Sequence, residues 1–303
     1  MAAMVTSRVS RLAVVMFVTI AAALLFGLFR VVLHQTIARH LQETVQAIPG
    51  CTGIRYDKIA IPYFSLQCQI HGASLLFAGT TEEIPLQTIQ IRRFRPGKRL
   101  PRALEAALYD VRLDARQPLM APLREPLQRL GYHTLRGDLQ IQWERRGENK
   151  EAWAIDLTLR VAEAGGLNLS IRLDKVSAEG VAMALASPLN WLLVLPPVEL
   201  VQGSCAYEDQ GLFERALTDA AREQKRRPEQ VREALSQDLR SRAQTEKDPR
   251  VQAVWRSLEI FCRNPKRITL QTHFSRPIPL GQLLWMRQPS EFIRALGVAS
   301  TVE

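Results

Sequence analysis

Eighteen consecutive residues without a charge, Leu12 to Phe29 (LAVVMFVTIAAALLFGLF), constrain this chain more than any other stretch. An α-helix needs about 17–25 mainly apolar residues to cross a bilayer. Arg8 and Arg11 precede the run and Arg30 follows it. The segment therefore reads as a transmembrane helix behind a short cytoplasmic tail, residues 1–11. No later run is long and apolar enough to cross again, so everything after it sits on one side of the membrane. The basic start and Ala21-Ala22-Ala23 also permit a cleaved signal peptide. Cleavage there would leave Leu24-Leu25-Phe26 at a new N-terminus, and the run exceeds the usual length of such a segment. A retained signal anchor is the expectation and cleavage the alternative.

The helix is expected to continue past the bilayer. Leu33, Ile37, Leu41 and Val45 recur every fourth residue, the spacing of one helical face, and Pro49-Gly50 ends the pattern. At 1.5 Å per residue a helix over 12–47 would be about 54 Å long, more than a hydrocarbon core of about 30 Å. Residues 12–48 thus form a membrane helix and stalk. The stripe reads either as a partner-facing surface, including a seam between two copies, or as a face laid on the chain's own β-domain. Orientation by the positive-inside rule is nearly balanced, with Arg8 and Arg11 against Arg30 and Arg39. The short tail and an even cysteine count favour a body outside the cytoplasm.

From residue 51 to about 206 the periodicity changes to that of strands. Ile54 and Tyr56, then Ile59 and Ile61, are short alternating pieces. Phe64, Leu66, Cys68 and Ile70 alternate with polar residues, as a strand with one dry face does. Ile84-Pro85-Leu86 with Ile89 and Ile91 predicts a bulged strand, and Ala107, Tyr109, Val111 and Leu113 another. Leu119, Leu123, Leu127 and Leu130 mark a short irregular helix, weakened by Pro122 and Pro126 and stopped at Gly131. The clearest alternation follows in Leu135–Trp143, Trp153–Val161 and Leu167–Leu173. With the Gly165-Gly166 turn signal these predict a three-strand antiparallel meander, apolar on one face and polar on the other. Residues 178–196 are densely apolar and end at Pro196-Pro197. They read as a cap on the sheet's open end or, through Trp191, as a membrane-interface contact. Val198, Leu200, Cys205 and Tyr207 suggest a last strand.

Residues 207–303 read as a helical cluster with a closing strand. Asp209 is a reasonable N-cap for a helix through Arg222, Pro228 can open a second, and Asp248-Pro249 a third. Their stripes (Leu212, Phe213, Leu217; Val231, Leu235, Leu239; Val251, Val254, Trp255, Leu258, Phe261) most simply cover the dry face of the sheet. A strand with Ile268, Leu270 and Phe274 follows, then short helices at Leu280–Met286 and Ser290–Leu296. The fold class is α+β: an N-terminal transmembrane helix extended into a stalk, a one-sided antiparallel β-sheet, and an amphipathic helical cluster packed on it.

Net charge is +10 and the pI about 9.9, which favours anionic partners. With a membrane anchor, lipid headgroups fit better than nucleic acid, and Phe94 and Tyr109 do not make a base-stacking pattern. The basic residues concentrate in IRRFRPGKRLPR, where Arg92, Arg93, Arg95, Lys98, Arg99 and Arg102 fall within eleven residues that contain no acid. This Pro/Gly-containing loop is either an anionic-surface contact, as with headgroups of the anchoring membrane, or a solvated loop. Cys51, Cys68, Cys205 and Cys262 contain no CxxC pair. In an exported body the two local pairings, Cys51–Cys68 and Cys205–Cys262, are possible disulfides; buried free thiols are the alternative.

No catalytic constellation is legible. There is no HExxH, GxSxG, Walker A loop or GxGxxG, and the five histidines, His34, His40, His71, His133 and His273, are scattered. The expectation is no enzyme, no metal and no cofactor. A basic N-terminus and one membrane helix, then GIRYDKIAIPYFSLQCQIHGASLLF and LPRALEAALYDVRLD, resemble the start of AsmA-like bacterial envelope proteins over roughly residues 8–175. That resemblance implies a curved sheet with a lipid-accommodating apolar groove, a single pass through the inner membrane and a body in the periplasm. The region from Val198 to Thr301 (CAYEDQGLFERAL, FCRNPKRITLQTHF) departs from it and looks more like uncharacterised proteobacterial inner-membrane-anchored proteins. Neither group transfers a site residue. The expected function is a non-catalytic scaffold or accessory subunit of a membrane assembly, with membrane lipids and an envelope protein as partners. The alternatives are a lipid-binding or lipid-transfer protein using the sheet's apolar face and a membrane-anchored hydrolase.

Overall fold

A computed structural model describes residues 39, 42, 51–60, 67–77, 83–95, 102–146, 151–177, 179–181, 183, 190–274, 276–283, 285, 286 and 288–303. Leu12–Phe29, and Leu33, Ile37, Leu41 and Val45 of the stalk stripe, lie outside them; Arg39 and Gln42 are helical and exposed. Among the described residues no helix is long and apolar enough to cross a membrane.

The sheet predicted from alternation is present and larger than the sequence suggested. Among the described residues it holds twelve strands, all in antiparallel pairs, in the order β1-β3-β4-β5-β6-β7-β8-β9-β10-β12, with β2 on β3 and β11 on β9. The strands are β1 (Cys51–Arg55), β2 (Lys58–Ala60), β3 (Cys68–Phe77), β4 (Glu83–Arg95), β5 (Ala103–Asp114), β6 (Thr134–Arg146), β7 (Glu151–Val161), β8 (Gly165–Val176), β9 (Glu199–Asp209), β10 (Arg267–Thr272), β11 (Ile278–Pro279) and β12 (Val298–Val302). From β3 to β9 each strand pairs with the one before it, a meander of the kind short turns favour.

Several elements differ from the reading by alternation. β3 runs on to Phe77, where Gly72 at φ +59 breaks the parity. A side chain there would collide with Asp57, its Cβ lying 1.9 Å from the carboxylate. β4 stays in step with β3 from Glu83 to Ile91. The irregularity expected near Ile84–Ile91 sits instead against β5, between Ile91 and Arg93, and β5 bulges against β6 between Leu108 and Val111. At that bulge Asp110 has φ 51, its N–H donates to Asp138 Oδ1 at 2.9 Å, and its carboxylate pairs with Arg112 and Arg136. The short helical stretch is a 3-10 turn, Pro118–Leu123, followed by α1 (Arg124–Arg129). Gly131 ends it at φ +79. Within 178–196 a short helix α2 (Trp191–Val194) precedes Pro196.

Three amphipathic helices follow as expected: α3 (Leu212–Gln224), α4 (Pro228–Thr245) and α5 (Pro249–Arg263). Proline opens α4 and α5, and Asp248 caps α5 by accepting from the Arg250 N–H at 2.9 Å. Asp209 stands two residues before the α3 cap and still satisfies its orphan donors, accepting from Gly211 N–H at 3.0 Å and Phe213 N–H at 2.9 Å. Two short helices, α6 (Leu280–Leu283) and α7 (Pro289–Ala295), precede the last strand. β9 crosses the boundary expected at residue 206 and pairs with β10, so one sheet joins the two predicted regions.

Neither expected disulfide forms. Cys68, Cys205 and Cys262 are free thiols. Cys51 pairs with Phe77, nine residues along β3 from Cys68. That is about 30 Å of strand, several times the reach of a disulfide. Cys262 is instead buried between α4 and α5, where it takes the Ser236 hydroxyl at 3.7 Å.

Candidate functional site

Residues directly opposite each other on neighbouring strands share a face, so the register lays out the sheet's two sides. One row crosses ten strands: Ile59, Ile70, Ile89, Leu108, Leu139, Leu159, Leu167, Tyr207, Ile268 and Val302. A second runs through Cys68, Ile91, Ala106, Ile141, Leu157, Leu169, Cys205, Leu270 and Ser300. A third links Phe94, Leu104, Trp143, Ile155, Ile171 and Gly203. The alternating positions are polar: Gln140, Thr158 and Asn168, then Gln142, Asp156 and Ser170. On that side Ser170 donates to Asp156 Oδ1 at 2.5 Å and Arg172 reaches both its oxygens at 3.1 and 3.2 Å, holding the carboxyl below its usual range against the opposing effect of burial. The apolar side is therefore continuous from one edge of the sheet to the other.

Among the described residues its two flanks are covered and its middle is partly exposed. At the N-terminal flank Ile54, Ile59, Cys68, Ile70, Ala73, Ile84, Leu86 and Ile89 form a buried core. At the other flank α5 packs on β12 and β10. Phe261 meets Tyr207 edge-on with ring centres 6.1 Å apart, and Ser300 donates to the Ser257 hydroxyl at 2.8 Å. Between them Leu139, Ile141, Trp143, Ile155, Leu157, Leu159, Leu167, Leu169 and Ile171 are all partly exposed. None of the described helices packs broadly on β6, β7 or β8. The helical stripes instead meet each other: Leu217 and Ala221 against Val231, and Ala243 against Val251 and Trp255. The expectation that this cluster covers the dry face thus holds only at its C-terminal edge. With strands about 4.8 Å apart and same-face residues about 6.7 Å apart along each strand, this partly exposed area on β6, β7 and β8 is about 14 Å by 20 Å.

One end of this face is closed by a small cluster. Trp153, Val176 and Val198 are buried together with Val181 and Leu280 packed on them, and the Arg145 guanidinium lies 5.4 Å from the Trp153 ring centre. The predicted basic residues are beside it. Arg92, Arg93 and Arg95 lie in β4, not in a loop, because pairing resumes beyond the irregularity with Phe94 opposite Leu104. Arg92 donates to Tyr109 Oη at 2.9 Å and pairs with Glu105 at 3.5 Å; Arg93 and Arg95 share Glu144 at 3.4 and 3.9 Å. Arg102 is exposed, and its carbonyl accepts from the Arg145 N–H at 2.8 Å. Lys98 and Arg99 lie outside the described residues. Arg145 and Arg146 extend the same end and were missed in the sequence, since their role depends on the register of β6 against β5.

Catalytic chemistry finds little footing. Among the described residues no three His, Cys, Asp or Glu side chains are grouped to hold a metal. A shallow groove lined by Asp114, Ala115, Arg116, Gln128, His133 and Thr134 contains one carboxylate, held down to about 2 by hydrogen bonds from the Arg116 side chain and N–H. Tyr207 donates to Asp209 Oδ1 at 2.7 Å, and burial with that carboxylate pushes its phenol well above the usual range. The thiols of Cys68, Cys205 and Cys262 are all raised, first of all by burial.

Residues 158–303 match a family model described as an uncharacterized protein. The match starts inside β7 and takes in β8 to β12 with the helices that close the edge of the apolar face. Comparison with curated proteins gives no match.

Proposed function

We propose that this chain is a membrane-anchored lipid-binding protein that holds acyl chains along the open apolar face of β6, β7 and β8. The observation that carries this reading is the contrast within single cross-strand rows. Ile70 and Ile268 are buried, while Leu139, Leu159 and Leu167 of the same row are partly exposed. A contiguous apolar area of roughly 300 Å², estimated from strand spacing, is at the lower end of the patches that on a soluble protein often mark a binding site. Acyl chains suit it because the face offers aliphatic side chains and few hydrogen-bonding groups. The resemblance of residues 8–175 to AsmA-like envelope proteins points the same way, with Leu12–Phe29 as the anchor in an inner membrane and the body in the periplasm.

The test is photo-crosslinking with benzoylphenylalanine installed in the full chain, expressed in its membrane. Leu157 and Leu169 report the apolar face; their sequence neighbours Thr158 and Asn168 report the polar face. Lipid adducts, read by mass spectrometry, are expected only from the first pair. Adducts from neither pair, or equally from both, would refute the reading.

A scaffold role has one observation of its own. Ile260 on α5 is 55% exposed, an apolar side chain on the outer side of the helical cluster. Ile260→Ser would then release a partner that co-purifies with the native chain and leave lipid adducts at Leu157 unchanged.

A further inference from the structure

Large apolar side chains stand exposed at the same end of the sheet as the arginines. Phe94 is 48% exposed, Met183 50%, Leu193 73% and Trp285 85%. Their placement follows from contacts. Asn190 donates to the Met183 carbonyl at 2.7 Å, and a Cβ on Gly180 would meet Val194 at 3.1 Å. A Cβ on Gly281 would meet Pro196 at 3.0 Å, which brings α6 and the Trp285 that follows it against the same segment. Leu280 donates its N–H to the Val198 carbonyl at 2.8 Å, beside the buried Trp153 and Val176. Phe94 is flanked by Arg93 and Arg95, and Arg92, Arg102, Arg145 and Arg146 complete a basic rim on the ends of β4–β6. Among the described side chains these six arginines stand with Glu105 and Glu144, so the rim is net positive.

We propose that this end is a docking tip for an anionic bilayer surface. Phe94, Leu193 and Trp285 enter the interfacial layer, and the arginines meet lipid phosphates. An exposed tryptophan beside leucine is what the water–hydrocarbon boundary accommodates, and arginine guanidinium groups match phosphate oxygens. The tip lies away from the point where residues 1–50 join the body. Cys51 pairs with Phe77, next to the start of β4, and β4 then runs 13 residues to Arg95, a distance of about 40 Å. The surface it meets is therefore a second site of membrane contact, distinct from the Leu12–Phe29 segment. The proposal does not depend on acyl chains occupying the open face.

The experiment uses the full chain held in phosphatidylcholine nanodiscs and mixed with separate vesicles. Capture by flotation is expected with vesicles containing phosphatidylglycerol and not with phosphatidylcholine alone. At about 1 kcal/mol per basic residue near an anionic surface, Arg93→Gln with Arg95→Gln weakens capture roughly thirtyfold. Leu193→Ser with Trp285→Ser weakens it roughly tenfold or more. All four positions are exposed or partly exposed, and unchanged far-UV circular dichroism and melting temperature check that the variants are folded. Absence of capture, equal capture by both vesicle types, or capture unchanged in both folded variants would overturn the proposal.

Discussion

If the middle of the apolar face is open, truncating it must cost much less than truncating its closed flank. Ile70 is 0% exposed in β3, and Ile70→Ala removes three carbons from the N-terminal core. At about 0.8 kcal/mol each the transfer loss is about 2.4 kcal/mol, and the cavity left behind raises it to about 3–4 kcal/mol. Leu157 stands in the second row of the same side but is partly exposed. Leu157→Ala removes carbons that water already touches, and the space it leaves opens to solvent, so the loss is about 1 kcal/mol. For a body of this size 1 kcal/mol is about 2–4 °C of melting temperature. The full chain in mild detergent should melt roughly 6–16 °C lower as Ile70→Ala and only a few degrees lower as Leu157→Ala. Urea midpoints on the same samples give an independent scale. Equal losses at the two positions would mean that the middle of the sheet is covered, and the argument for a lipid-holding face would fail.

Gly165→Ala should be destabilising by at least about 2 kcal/mol in urea denaturation, because Gly165 has φ +141 and a Cβ would sit 2.2 Å from the Glu208 carbonyl oxygen. The Asp114 carboxyl should titrate by NMR at about 2 and move upward in Arg116→Ala, since Arg116 holds it down. The stability it contributes is present above the ordinary carboxyl range and is lost as pH falls through about 2. Cys68, whose thiol burial pushes up to about 11, should resist iodoacetamide at pH 8 in the native chain. Site-resolved mass spectrometry should find Cys68 and Cys262 fully alkylated after unfolding without reductant; protection of either would restore the disulfide reading.

How far the fold was legible depended on whether local pattern and tertiary partner agreed. The meander of β6, β7 and β8 could be read because Leu139, Ile141, Trp143, Ile155, Leu157 and Leu159 alternate without a break. The helices could be read because Pro228 and Asp248-Pro249 announce their starts. β3 was cut short because the positive φ at Gly72 reverses the alternation midway. β12, VASTV, was missed because its small residues carry no contrast; it is a strand through its pairing with β10. The larger failure concerns what the helical stripes cover. A stripe shows that a face is buried, not against what, and Leu217, Ala221 and Val231 find each other rather than the sheet. The basic cluster was legible as charge, whereas Arg145 and Arg146, Leu193 and Trp285 join it only through the topology.

The order of the strands also bears on how the chain is made. From β3 to β9 each new strand finds its partner immediately before it, across short turns except for the helix-containing connections from β5 to β6 and from β8 to β9, so the entropic cost of closure stays low. The sheet can grow in the order in which it leaves the ribosome or a translocation channel. β9 interrupts this. Its second edge waits for β10, which arrives only after α3, α4 and α5. During that interval the growing protein presents a bare strand edge beside an uncovered apolar face, the two features that most invite another chain to pair. Biogenesis therefore has its most exposed interval between β9 and β10.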